Sequence, residues 1–404
     1  MRKGQQNRKC FERIVNESPK DLDGLYCYIL AGIEEGNQAL ATKVLRILVS
    51  SARPITTEEL RLALAIDLNH RTLEEVEEGS DRTIERTVRL ALGSLIRIFE
   101  LKVFLVHQSS KEFLLRLSAG KVANLRMFEP DLQKTYGINL HAANLELATS
   151  YIAFLGLADF DNNRMLDENV SAFNELPGAT EDSPWLLMPR ATTDSLSENP
   201  KVSSNDFSST LTDLKAYFYE YSASYWASHL RASGKSVPRQ ALELAINLSC
   251  RNSNCLTNWS DQYRLASREL ITLPNDLEPL IVAAIFGLIH LANEVLDNYA
   301  SELQGQSKPL ALSWACRMGH IDITKTLLAH GTPVSGAWVE GGSPLSWACA
   351  SGHLEIVEEL LNKADSSQIN TRDGNGRTPL LGPATYPLSN YCLHEKTLTS
   401  IWMI

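Results

Sequence analysis

The sequence has little that would take the chain into a membrane or out of the cell. No run of about 18 apolar residues is present to span a hydrocarbon layer of roughly 30 Å. The longest apolar stretch, Leu280 to Leu291, is too short and reads as one packed helix. No apolar segment comes after the basic start Met1-Arg2-Lys3, so no export signal is expected, and Glu12, Glu17, Asp21 and Asp23 argue against a transit peptide. Seven cysteines in 404 residues, at 10, 27, 250, 255, 316, 349 and 392, are too sparse and too few for a disulfide framework. Reduced thiols and a cytoplasmic setting are expected. Positive charge is also in deficit: 38 Lys and Arg stand against 48 Asp and Glu, a net −10. The summed field repels phosphate backbones and anionic lipid, so neither nucleic acid nor membrane is the expected partner.

Catalytic and metal-binding arrangements are lacking as well. Cys250 and Cys255 have no second pair and no nearby histidines to complete four zinc ligands. No Ser/His/Asp, Cys/His or paired-carboxylate set stands out, so no enzyme activity and no cofactor are expected. The nearest thing to a phosphate-binding loop is Gly234-Lys235-Ser236. Its first glycine would fall at His229, a helix leads into it where a strand should, and Pro238 interrupts the next helix, so an ordinary loop is the better reading.

The positive signal is repetition. The seventeen residues from Leu312 (LeuSerTrpAlaCysArgMetGlyHisIleAspIleThrLysThrLeuLeu) recur 33 residues later from Leu345, with twelve positions identical or conservatively exchanged. Leu280, Ala283, Ala284, Gly287, Val295 and Leu296 form an earlier copy, and Gly376-Arg377-Thr378-Pro379-Leu380 begins a fourth that then loses the pattern. Ser343 is placed to cap a helix with Pro344 in its first turn. Gly319 and Gly352 suit a left-handed helix end, and the paired leucines Leu327/Leu328 and Leu360/Leu361 a buried face. Period and pattern resemble the ankyrin repeat, which implies a solenoid binding a protein partner on its concave face. Ser313 and Ser346 depart from that family's histidine. Trp314 and Trp347 read primarily as packing residues; as partner-binding surface positions, Trp314, Arg317, Trp347 and Ser351 are the candidates. His320 and His353 read as turn-fixing hydrogen-bonding residues.

The first 118 residues differ in character. Helical spacing runs through 23–33 and 38–49, Pro54 stops it, and Thr56-Thr57-Glu58-Glu59 opens a third helix with a capping box. An acidic loop is expected over 67–81, a helix over 83–92, then strands at 95–99 and 103–107 and a helix capped by Ser109 or Ser110. That is a winged-helix plan. Arg82, Arg86 and Arg89 mark one face, as a DNA-reading helix would, yet residues 21–118 hold 12 Lys/Arg against 15 Asp/Glu, so structural use is preferred.

The stretches 23–30, 52–65 and 106–114, with TyrSerAlaSerTyrTrpAlaSerHisLeu at 221–230, resemble the segment located after the NACHT nucleotide-binding domain in fungal NLR-like proteins. The resemblance implies a regulatory winged helix. In related nucleotide-switched receptors a histidine here touches the phosphate of ADP, and His107 matches that position; it would have a cofactor role only if a NACHT domain were supplied. Without one, His107 reads as tying a strand end to the next helix.

The sequence therefore predicts a mainly α chain: a tail over 1–20, a winged-helix-like domain over 21–118, a helical linker region over 119–275 with a disordered loop near 191–210, and ankyrin repeats over 277–404, about three with the fourth incomplete. Helices are expected at 140–157 and 211–230. Beginning inside one apparent domain and ending as a repeat fades, the chain reads equally as a complete product or as a receptor truncated at both ends. The expected function is non-enzymatic protein binding. The alternatives are a fragment of a nucleotide-switched receptor and a winged-helix DNA binder.

Overall fold

A computed structural model describes residues 21–122, 131–162, 204–266, 273–334 and 342–364, with backbone alone for 204–215. It is mainly α. The tail over 1–20, the fourth repeat start at 376–380 and residues 191–203 of the expected loop lie outside the described residues.

The first unit contains α1 (Leu22–Ala31), α2 (Glu35–Ser50), β1 (Ile55–Thr56), α3 (Thr57–Ala65), α4 (Leu73–Glu78), α5 (Ile84–Leu92), β2 (Ile96–Phe99), β3 (Lys102–Leu105) and α6 (Gln108–Ser118). Thr56 accepts from the Glu59 N–H while Glu59 reaches back to the Thr56 N–H, completing the expected capping box. The hairpin is antiparallel, and β3 also pairs with β1, so the sheet order is β1-β3-β2 with Ile55 opposite Val103. β1 is only two residues long, too short to leave an alternating pattern, and it escapes a sequence reading. The acidic stretch 67–81 is not loop throughout. Thr72 and Glu75 form a second capping box that starts α4, and Val76 anchors that helix in the core.

The middle unit comprises α7 (Leu132–Tyr136), α8 (Leu140–Leu155), α9 (Ala158–Asn162), α10 (Ser204–Ala232), α11 (Arg239–Leu248) and α12 (Asn254–Ala266). α10 begins at Ser204, so the expected loop is corrected over 204–210. Its low apolar content hides a helix whose first turns precede its apolar face. α8 and α9 pack on α10 along an aromatic seam in which Tyr151, Phe154 and Phe160 meet Phe218, Tyr219 and Tyr221 largely edge to face at centroid distances of 4.6 to 6.4 Å.

The third unit stacks helix pairs: α13 (Pro279–Phe286) with α14 (Ile289–Asn298), α15 (Ser307–Met318) with α16 (Ile321–Ala329), and α17 (Pro344–Ala350) with α18 (Leu354–Lys363). Leu280 to Leu291 is therefore two helices. Gly287 at φ 74° breaks it, as Gly319 at 79° and Gly352 at 74° break the later pairs. Ser343 caps α17 by accepting from the Ser346 N–H, with Pro344 in the first turn. The first helices of successive pairs pack against one another more closely than the second helices do, which makes α13, α15 and α17 the inner row.

Candidate functional site

The inner row is nearly devoid of exposed side chains. Every residue of α15 from Ala311 to Arg317 is buried, and α13 is covered from Leu280 to Ile285. Trp314 and Trp347 are each 3% exposed and Arg317 8%. The Arg317 guanidinium carbon lies 5.0 Å from the Trp314 ring centroid and 4.3 Å from that of Trp347, so the cation is held between two indoles of adjacent repeats. A Cβ on Gly342 would come within 2.6 Å of the Trp347 Nε1, which is why glycine precedes Ser343. Trp314 and Trp347 are packing residues, as they primarily read, while the surface position also expected of them and of Arg317 is corrected: the 33-residue period that aligns them stacks them into one layer, and they cement repeats together. Ser351 is half-buried at the end of α17. Exposure in the stack falls instead on the connections between repeats, including Glu302, Gln304, Gln306 and Pro333.

One joint recurs along the stack. The His320 Nε2 donates to the Ile285 carbonyl at 3.1 Å, and its ring fills the space where a Cβ on Gly287 would stand, 2.8 Å from His320 Cε1. His353 does the same one repeat on, to the Arg317 carbonyl at 3.3 Å and over Gly319 at 2.5 Å. The turn-fixing role read for both histidines therefore acts across repeats. A third copy lies upstream of the repeats: His141 Nδ1 bonds the Ala232 carbonyl at 2.9 Å and packs over Gly234, which sits at φ 87°. His290 from α14 then bonds the Gly234 carbonyl at 3.0 Å, joining the middle unit to the first repeat. Gly234-Lys235-Ser236 is thus a joint at a helix end, as the loop reading expected. Trp226, Trp259 and Phe286 complete that boundary, with Trp226 and Trp259 5.4 Å apart and edge to face.

The winged helix is tied to the middle unit through the turn after α2. Arg53 pairs both its terminal nitrogens with Glu59 (3.1 and 2.7 Å) and lies 4.4 Å from the Tyr221 ring centroid. The Ala52 N–H donates to the Tyr221 hydroxyl at 3.0 Å. Glu59, 1% exposed, so serves both the α3 cap and this contact. Burial raises the Glu220 carboxyl and the Tyr221 phenol above their usual ranges. The other face of this turn borders a cleft of about 310 Å³ whose far wall carries His107, Gln108 and Lys111. His107 caps α6, its Nδ1 receiving the Ser109 N–H at 3.1 Å, so it ties strand end to helix as expected.

Three buried groups are held neutral. Burial pushes the His229 imidazole down to about 4 and the Cys316 thiol up to about 12. Cys255 is raised to about 12 by burial and by Asp161. Thiols so shifted are poor nucleophiles. Among the described residues no cluster of three or more His, Cys, Asp or Glu is placed to hold a metal, and no helix is long and apolar enough to cross a membrane.

Comparison with known proteins agrees with this division. Residues 280–373 match the family model for ankyrin repeats (3 copies), and residues 30–124 match that for the winged helix domain of GPI inositol-deacylase. Over 107 residues the chain is 33% identical to the vegetative incompatibility protein HET-E-1 of Podospora anserina, a match covering 26% of this chain and 7% of that protein. The chain spans only a small share of that relative. Both matched families are non-catalytic. The polypeptide thus contains a winged-helix domain near its start and ankyrin repeats towards its end.

Proposed function

We propose that this chain is a non-enzymatic cytoplasmic interaction protein: its ankyrin stack binds a protein partner, and the winged helix relays that contact as in fungal NLR-like receptors. The observation that carries the reading is continuity. A solenoid of repeats, a class that generally mediates protein binding, is joined through His141, His290 and the Trp226/Trp259 pair to a helical unit, which Arg53 and Tyr221 join to the winged helix. A partner bound at one end therefore bears on a continuous set of contacts that reaches the other. The contact surface is Ser351 with the connections between repeats, shaped from beneath by Trp314, Arg317 and Trp347. The test is a Glu302→Arg, Gln304→Arg, Ser351→Arg triple variant. It should melt within a few degrees of the parent yet lose the captured partner; unchanged capture of every partner would sink the reading.

A second reading, part of a nucleotide-switched receptor, is favoured by the cleft beside His107. Arg53 and Lys111 stand around it, and the first turn of α6, a helix N-terminus, borders it. A NACHT domain would have to supply the rest of the site. Titration of the purified chain with ADP separates the readings, because measurable binding would place the switch within this polypeptide. The winged helix as a DNA binder lacks comparable support, since Glu58 and Glu85 interrupt its basic face.

A further inference from the structure

The winged helix carries a face that no element of the described chain covers. A recess of about 610 Å³ lies between α5 and the start of α3, lined by Thr57, Glu58, Arg82, Arg86, Arg89 and Leu90. Leu90 is 72% exposed. The adjoining hairpin exposes Phe99 (52%) and Leu101 (61%). The hairpin turn holds Glu100 at φ 47° and Leu101 at φ 59°, left-handed values that cost a non-glycine residue about 1–2 kcal/mol. The Leu101 carbonyl receives the Thr57 N–H at 2.7 Å, which fixes the turn beside the recess. A strained turn that presents a large apolar side chain to water is a feature of contact surfaces. Apolar anchors beside three arginines have the composition of a protein interface, and Glu58 with the exposed Glu85–Arg89 pair offsets only part of that positive charge.

The opposite pattern stands on the last described helix. α18 exposes Leu354 (51%) with Glu358 one turn on, and Glu355 neighbours Glu358 at i,i+3 along the flank of that face. Its 10 residues span about 15 Å, close to the roughly 13.5 Å of the nine-residue α5. We propose that α18 of one copy docks on the α5 and hairpin face of a second copy, with Leu354 beside Leu90 and with Glu355 and Glu358 opposite Arg86 and Arg89. The two halves of the contact belong to different units of the chain, so association runs head to tail, closing into a ring or extending as a filament. This is independent of the partner assigned to the repeats.

Charge exchange tests it on the full chain. By sedimentation equilibrium at physiological salt, the average mass should rise with concentration. Arg86→Glu with Arg89→Glu, or Glu355→Lys with Glu358→Lys, should each weaken association at least about tenfold, because like charges then face each other. Mixing the two variants restores opposite charges at every contact and should restore the mass. A chain that stays single up to about 100 µM, reversals without effect, or a mixture that fails to reassociate each overturns the proposal. Should a reversal disturb folding by circular dichroism, Leu90→Ser and Leu354→Ser read the same contact without a charge change, and unaltered association in both would refute it.

Discussion

Acid should loosen this molecule through a single buried imidazole. His229 is 4% exposed, between α8 and α10, with the Tyr151 ring 5.5 Å away edge to face. Asn144 gives its side-chain N–H to the Leu140 carbonyl at 2.8 Å, which turns Asn144 Oδ1 toward His229 Nδ1 at 2.7 Å. The proton therefore sits on Nδ1, and Nε2 is left in the core as a bare acceptor with no partner among the described residues. Protonating it would bury a charge. The native pKa falls from 6.5 to about 4, so between those values the unfolded chain takes up a proton that the native chain refuses. Stability is fully present above about pH 6.5 and is lost as pH falls toward about 4. The whole window corresponds to about 3 kcal/mol, of which about 2 kcal/mol is gone by about pH 5. Urea unfolding at about pH 7 and about pH 5 measures it, with His229→Asn as control because the amide N–H replaces Nδ1 and does not titrate. The parent should lose about 2 kcal/mol more than the variant over that interval. Equal losses in the two proteins would refute the assignment.

The interlocking of repeats predicts unequal effects for two similar glycines. Gly319→Ala meets the His353 ring at 2.5 Å and carries left-handed strain, for a cost of about 3 kcal/mol, whereas Gly352→Ala meets nothing within 4 Å and should cost about 1 kcal/mol; thermal melts that rank them the other way would contradict the packing described. Arg53→Ala leaves Glu59 buried without its cation and should cost about 2 kcal/mol or more; a double change with Glu59→Gln should cost less than the sum of the single changes by about 1 kcal/mol, read by denaturant titration as a cycle. Trp314→Ala should remove about 3–5 kcal/mol and broaden the unfolding transition of the stack. With iodoacetamide at about pH 8, exposed Cys250 should be alkylated well before Cys316, whose thiol is pushed up to about 12.

The repeats and winged helix were readable because their signals are local. Gly319 and Gly352 at their helix ends, Ser343 before Pro344, and Thr56 three residues before Glu59 all act within one turn of chain. What the sequence could not display is which faces meet. Trp314, Arg317 and Trp347 look like an exposed binding row if α15 shows one side to water, and only the stacking of α13, α15 and α17 shows them enclosed. The two-residue β1 has no period of its own and exists through its pairing with β3. The contact of Arg53 with Tyr221 bridges 168 positions in sequence, and nothing local to either residue announces it.

The histidine-over-glycine joint also gives the stack a direction. The α15–α16 repeat presents both a glycine socket (Gly319) and a histidine pin (His320), its neighbours contribute the socket Gly287 and the pin His353, and the middle unit closes its own helix end with the same fitting at His141 and Gly234. Units can accordingly be gained or lost in whole steps without any new interface chemistry. Descendants of such a gene could lengthen or shorten their reach by duplication and deletion alone, leaving the winged helix and its junction untouched.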